Sequence, residues 1–143
     1  MKIKIHNLPD TITLSPSEIE NIIRFVSGKI NLHAESCDII LIDDDTLRSM
    51  HEHYLSDPEY TDVMTFNLGE EDIEGEIYIS IDRIIDNADF YKVSINNEFI
   101  RTLIHGLLHL SGQNDKTETE RSKMRLEENR YIELIQSELK FEV

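Results

Sequence analysis

Disulfide chemistry is excluded at the outset, because the chain of 143 residues has a single cysteine. Cys37 stands in the apolar run Ser36-Cys37-Asp38-Ile39-Ile40-Leu41-Ile42, where a buried structural thiol is the expected reading. A lone cysteine also fits a reducing compartment. Long apolar runs are missing too, and no window approaches the roughly 20 residues of a membrane-spanning helix. The start, Met1-Lys2-Ile3-Lys4-Ile5-His6, has neither the uninterrupted apolar stretch nor the cleavage site of an export signal. A cytoplasmic location without membrane attachment is therefore expected. There is no low-complexity tract, internal repeat or linker composition, so a single domain over residues 1–143 is expected. A chain of this length buries about two-thirds of its unfolded surface and needs no cross-link to fold. Basic residues are also scarce: 14 Lys and Arg stand against 29 Asp and Glu, for a net charge of −15. Broad binding of nucleic acid works by neutralising phosphates with cations, so it is not expected, and DNA is not expected as a partner. A small local site remains compatible with this balance, and acidity of this kind more often serves solubility.

What is present reads as an ordered series of elements. Residues 2–6 alternate as a strand. Ser15-Pro16-Ser17-Glu18 supplies an N-cap, a proline at the first helical position and an acid in the first turn, predicting a helix to about Asn31 with Ile19, Ile22, Ile23 and Val26 inward. Residues 37–43 read as a buried strand, and Asp44 or Asp45 as the cap of a helix through Leu47, Met50 and Tyr54. Ser56-Asp57-Pro58-Glu59 reads as a turn and Asp62–Phe66 as a short strand. An acidic loop is expected from Gly69 to Gly75, then a strand over Glu76–Ser80 and a helix from about Asp82 to Phe90. Ser94 caps a helix whose apolar positions Phe99, Leu103, Leu107 and Leu110 recur at helical spacing, and Gly112 ends it. Thr117-Glu118-Thr119-Glu120 is a capping box that opens a last helix to about Leu139. Four strands and about five helices, not strictly alternating, favour an α+β fold with a mixed sheet.

The chemistry-bearing segment is His105-Gly106-Leu107-Leu108-His109-Leu110-Ser111-Gly112-Gln113-Asn114-Asp115. Residues four apart on a helix share a face, so His105 and His109 can offer two imidazoles to one ion. A catalytic zinc site takes a third protein ligand and leaves the fourth position to water. Gly112 can adopt the left-handed conformation that ends a helix, which lets Asp115 swing back under the ion. The expected cofactor is one Zn²⁺, or another divalent transition metal, held by His105, His109 and Asp115. In protease versions of this motif a glutamate follows the first histidine as general base. Gly106 stands there instead, which weakens a peptidase reading and leaves nucleophile activation to the ion, since zinc lowers the pKa of its water to about 7.

This segment resembles the His-Gly-x-Leu-His-Leu-x-Gly-x-Asp-His signature of the YbeY family of metal-dependent endoribonucleases. The resemblance continues in Tyr54-Leu55-Ser56-Asp57-Pro58-Glu59-Tyr60-Thr61-Asp62-Val63-Met64-Thr65-Phe66 and in Gly75-Glu76-Ile77-Tyr78-Ile79-Ser80, in matching order, over nearly the whole chain. It implies a zincin-like domain acting as a single-strand endoribonuclease in ribosomal RNA maturation, at the 16S 3′ end. Ribosomal RNA precursor and the ribosome or its proteins would be the partners. There are two departures. The family's third ligand, usually histidine, falls on Asp115, which keeps a ligand and changes its charge. The family's arginine after the tyrosine falls on Leu55. Arg101, one turn before His105 on the same face, and Lys116, beside Asp115, are the candidate cations for the phosphate. Two alternatives stay open: a metal-dependent hydrolase of another substrate such as peptide, and a non-catalytic ribosome-assembly factor with a structural metal. Elsewhere, His51-Glu52-His53 reads as a solvated helix face, because residues two apart do not converge. Thr61 and Asp62 read either as a turn and cap or as neighbours of the site. Glu70-Glu71-Asp72 and the mixed charges of the last helix read as solvated surface.

Overall fold

Period-two alternation and side-chain caps together set the order of elements. In the computed structural model, which describes residues 1–56 and 61–141, the strands are β1 (Lys2–His6), β2 (Ala34–Ile42), β3 (Val63–Asn67) and β4 (Ile73–Ser80). The helices are α1 (Pro16–Lys29), α2 (Asp44–Leu55), α3 (Ile81–Tyr91), α4 (Ile95–Leu110) and α5 (Glu118–Leu134), the last running on as a wider π-type turn over Ile135–Leu139. The sheet has the order β1-β2-β4-β3. β1, β2 and β4 are parallel, and β3 closes the sheet as an antiparallel hairpin partner of β4. The fold is thus α+β with a mixed four-stranded sheet and five helices, as the element pattern predicts.

Alternate residues of the central strands face the helices. Cys37, Ile39 and Leu41 of β2 and Ile77 and Ile79 of β4 are buried, and the register sets Ile5 beside Ile39 and Ile39 beside Ile77. Burial pushes the Cys37 thiol up to about 12, so it stays protonated and inert. On the edge strand β1, Lys2 and Lys4 are exposed, which discourages pairing with another chain.

α4 is the central helix. Phe99, Ile100, Leu103, Ile104, Leu107 and Leu108 are all fully buried, a pattern that runs around most of the helix and marks it as enclosed. α4 packs against β3 and β4 on one side and α1, α3 and α5 on the others. Its approach to the sheet depends on Gly106: a Cβ there would lie 2.9 Å from Ile77 Cγ2 and 3.1 Å from Ile77 Cδ1. Any side chain at position 106 would therefore have to displace Ile77.

Several boundaries differ from the sequence reading. Asp43, not Asp44 or Asp45, caps α2, its carboxylate accepting the Thr46 N–H at 2.7 Å. Asp44 is drawn away instead: it accepts from Ser80 Oγ at 3.1 Å and pairs with Arg83 Nε at 3.1 Å, joining α2 to α3. β2 starts at Ala34 and β4 at Ile73. The acidic loop is accordingly shorter than Gly69–Gly75, because Asn67 Oδ1 accepts from both the Gly69 and Glu74 N–H groups and closes the hairpin. Of the turn expected at Ser56–Glu59, only Ser56 is described, ending α2 with φ 56°; Asp57, Pro58 and Glu59 lie outside the described residues.

Two glycine-to-alanine changes should separate in sign. Gly106→Ala should destabilise by about 1–3 kcal/mol through overpacking on Ile77. Gly28→Ala, at an exposed position of α1 with nothing within 4 Å of the new Cβ, should stabilise by about 0.5–1 kcal/mol. Denaturant unfolding of both variants measures the difference.

Candidate metal centre

α4 delivers His105 and His109 one turn apart, and the chain then reverses in a Schellman turn. The Gln113 N–H bonds to the Leu108 carbonyl at 3.1 Å and the Gly112 N–H to the His109 carbonyl at 3.0 Å. Gly112 takes φ 103°, a conformation that strains any residue with a Cβ. The turn has two products. It presents the Gln113 carbonyl to His109 Nδ1 at 3.0 Å, and it brings Asp115 back beneath the helix end.

The three side chains converge. His105 Nε2 and His109 Nε2 are 2.9 Å apart, and Asp115 Oδ2 is 3.2 Å from each. Both Nδ1 atoms face acceptors: Glu128 Oε2 at 2.8 Å for His105 and the Gln113 carbonyl for His109. Each Nδ1 therefore carries the proton as donor, which leaves each Nε2 with a lone pair. Two nitrogen lone pairs and a carboxylate oxygen then point at one spot. That arrangement is repulsive alone and suits a cation. Ligands about 2.0–2.1 Å from a tetrahedral ion are roughly 3.3 Å from one another, close to the spacing seen. Among the described residues, His105, His109 and Asp115 form the one group of three or more metal-type side chains that converges in this way.

Support for the two histidines is unequal. His109 is oriented by backbone within its own turn. His105 is oriented by Glu128 of α5, a carboxylate only 6% exposed, whose other oxygen accepts from Arg101 Nη1 at 3.2 Å. Burial pushes the His105 imidazole pKa down, but the Glu128 hydrogen bond and the charges of Glu128, Asp62 and Asp115 outweigh it and hold His105 above its ordinary value. Burial raises the Asp62 carboxyl, and His105 partly offsets this. Glu98, 4% exposed on α4, is lifted by burial to about 7, against the pull of Arg101.

The group sits on the wall between two concavities. One is lined by α2 and β3, including His51, Tyr54, Leu55, Thr61 and Asp62; the other lies among α3, α4 and α5. Asp62, His105 and Asp115 line both. Thr61 and Asp62 are thus neighbours of the site. His51 faces the cleft half-buried, whereas Glu52 and His53 are exposed as expected. Arg101 lines the α3–α4–α5 cavity, while Lys116 is exposed and its backbone carbonyl accepts from Arg121 Nη1 at 2.8 Å. Sequence reasoning missed Glu128, Arg121 and Glu98. Glu128 acts across 23 residues or more, and Arg121 and Glu98 join it only because α5 docks on α4, so no local pattern marks them.

A mixed sheet under an enclosed helix, with a His-His-carboxylate group at that helix's end, gives an α+β domain with a candidate metal centre of the kind metallohydrolases carry. Residues 4–136 match the family described as Endoribonuclease YbeY. Endoribonuclease YbeY of Amoebophilus asiaticus is 38% identical over 120 residues, 82% of each chain. That of Cytophaga hutchinsonii is 37% identical over 120 residues, 82% of this chain and 84% of the relative. The solution structure of a Thermotoga maritima protein superposes with a TM-score of 0.63 at 25% identity, over 96% of this chain and 91% of that one. The chain belongs to the YbeY endoribonuclease family.

Two outcomes are expected of this geometry. Glu128→Gln, measured by chelator competition, should weaken metal binding about 10- to 100-fold, as loss of a ligand's carboxylate partner does. Glu98 titrates near 7 when folded and near its ordinary 4.5 when unfolded. Below the lower value it is neutral in both states and costs nothing. Between the two values the unfolded chain releases the proton first, so stability falls, and above the upper value the loss is complete. Glu98→Gln should therefore gain on the wild type as pH rises from 5 to 8, in melts run with chelator present.

Proposed function

We propose that the protein is a metal-dependent, single-strand endoribonuclease that matures ribosomal RNA precursor at the 16S 3′ end. It would act in the cytoplasm in company with the ribosome or its proteins. The metal is Zn²⁺, held by His105, His109 and Asp115. The observation that carries this reading is the convergence of two imidazole lone pairs and a carboxylate oxygen within 2.9–3.2 Å. Family membership supplies the reaction class. Bound there, a divalent ion acidifies water and polarises a phosphoryl oxygen. With a carboxylate as third ligand, the site also suits harder ions such as Mn²⁺.

The chain's own residues do the rest. Glu128 and the Gln113 carbonyl hold the two rings so that Nε2 faces the centre. Arg101 neutralises charge on the scissile phosphate: its Nη1 is tied to Glu128, and the residue lines the cavity beside His105. Lys116, exposed beside Asp115, is the second candidate for this role. Gly106 offers no general base, so a peptidase mechanism gains no support. A non-catalytic ribosome-assembly factor with a structural metal is the rival reading. It is favoured by Leu55, an apolar side chain 61% exposed at the α2–β3 cleft where the family carries arginine.

Purified protein, stripped with chelator and reloaded with Zn²⁺ or Mn²⁺, should cut single-stranded RNA only when loaded, and should leave peptides intact. His105→Ala, His109→Ala and Asp115→Ala should each lose bound metal. Arg101→Ala should keep its metal and its fold, yet cut RNA more slowly by on the order of 100-fold. Bound metal with no cleavage of any RNA would move the assignment to the assembly-factor reading.

A further inference from the structure

The cavity among α3, α4 and α5 has a volume of about 300 Å³ and shares His105 and Asp115 with the candidate centre. We propose that it receives one unstacked nucleobase of the RNA strand whose phosphodiester lies at that centre. The inference rests on the proposed ribonuclease reading and names where the neighbouring nucleoside goes. Three features point the same way.

The first is shape and wall. A cavity of this size is at the small end of ligand pockets and fits a single planar heterocycle with part of its sugar. Tyr91, 51% exposed at the end of α3, offers a ring for stacking, and Met124 from α5 adds apolar wall. Single-stranded RNA is read by bases swung out of the stack onto such rings.

The second is polar capacity left unused. Glu98 lines the cavity, is 4% exposed, and its carboxyl makes no hydrogen bond among the described residues. Its carboxyl oxygens are not shut off from solvent, so they open onto the cavity, where a ligand can meet them. Asn87, half-buried on α3 and also lining the cavity, likewise makes no side-chain hydrogen bond there. An amide offers donor and acceptor together, and a carboxyl near its titration point does too. Base edges present the matching pairs.

The third is charge. In a chain of net charge −15, Arg121 and Arg125 both stand at this one cavity, exposed, alongside Arg101, and they offset its four carboxylates, Asp62, Glu98, Asp115 and Glu128. Arg121 Nη1 also bonds the Lys116 carbonyl at 2.8 Å, which keeps it against the Asp115 loop. Guanidinium groups here favour the phosphates that flank a base and disfavour the main competitor for an acidic pocket, a basic side chain of a protein.

The test has a binding arm and a cleavage arm. In the first, each of the four nucleoside 5′-monophosphates is titrated into the metal-loaded protein and followed by amide chemical shifts. Saturable shifts are expected at Asn87, Tyr91 and Thr102, and Tyr91→Ala should weaken binding about fivefold or more through lost stacking. Asn87→Ala serves as the second variant if the first unfolds. In the second arm, an oligoribonucleotide with one abasic residue is moved stepwise past the scissile bond. At one position next to that bond the wild type should show a KM raised about fivefold or more, and Tyr91→Ala should treat the intact and abasic strands alike. RNA cleavage without nucleotide shifts in the cavity, and without any abasic position effect, overturns the pocket and leaves the ribonuclease reading intact. Shifts in the cavity with no cleavage of any RNA keep the pocket and overturn the ribonuclease reading. Saturable binding of arginine amide in place of the nucleotides overturns the pocket in favour of a protein partner.

Discussion

The contact between Gly106 and Ile77 sets how closely α4 lies on the sheet, and that distance governs the geometry beyond it. With the helix this near β4, Leu110 meets the strand at Gly75 and the histidines take another face. His105 and His109 accordingly project toward α5 and the returning Asp115 loop, where partners can reach them. A side chain at 106 would lift the helix by a few tenths of an ångström or more, and Glu128 would no longer meet His105 at 2.8 Å. A residue with no side chain is thus what fixes the aim of two others, because the interior is close-packed and has little slack to absorb a shift.

Order along the chain follows from chemistry that is local, and much of it was legible. Ser15 and Thr117 make reciprocal capping boxes, and Ser94 caps α4, at the places their spacing indicates. Cap formation involves only residues a few positions apart, so a sequence displays it directly. The same holds for His105, His109, Gly112 and Asp115, whose convergence needs only one helical turn and one reversal. Choices made by distant partners were not legible. Asp43, Asp44 and Asp45 are equivalent as caps, and the decision falls to Asp43 because Arg83 and Ser80 recruit Asp44. Glu128 is one of several acids in a mixed-charge helix. Only the docking of α5 on α4 distinguishes it from Glu127, which bonds Gln113 Nε2 at 2.7 Å instead.

The charge balance shows why whole-chain composition is a poor guide to a site. The excess of acid is spread over the surface, whereas the α3–α4–α5 cavity sets Arg101, Arg121 and Arg125 against Asp62, Glu98, Asp115 and Glu128 within a small volume. At physiological salt, exposed charges farther apart than about 8 Å are largely screened from one another. A strand at this cavity would meet both signs of charge at short range and little of the remote surface. Long-range attraction would nevertheless be weak, so productive encounter would depend on short-range fit.

The two histidines lean on different parts of the molecule. His109 relies on a carbonyl four residues away in the same turn, while His105 relies on α5, whose burial is limited to Met124, Glu128, Tyr131 and Ile132. α5 nevertheless reaches the His109 side too, since Glu127 accepts from Gln113 Nε2 at 2.7 Å and Arg121 Nη1 donates to the Lys116 carbonyl at 2.8 Å. One helix thus braces both halves of the candidate centre: Glu128 orients the His105 ring directly, and Glu127 and Arg121 hold the turn that carries Asp115.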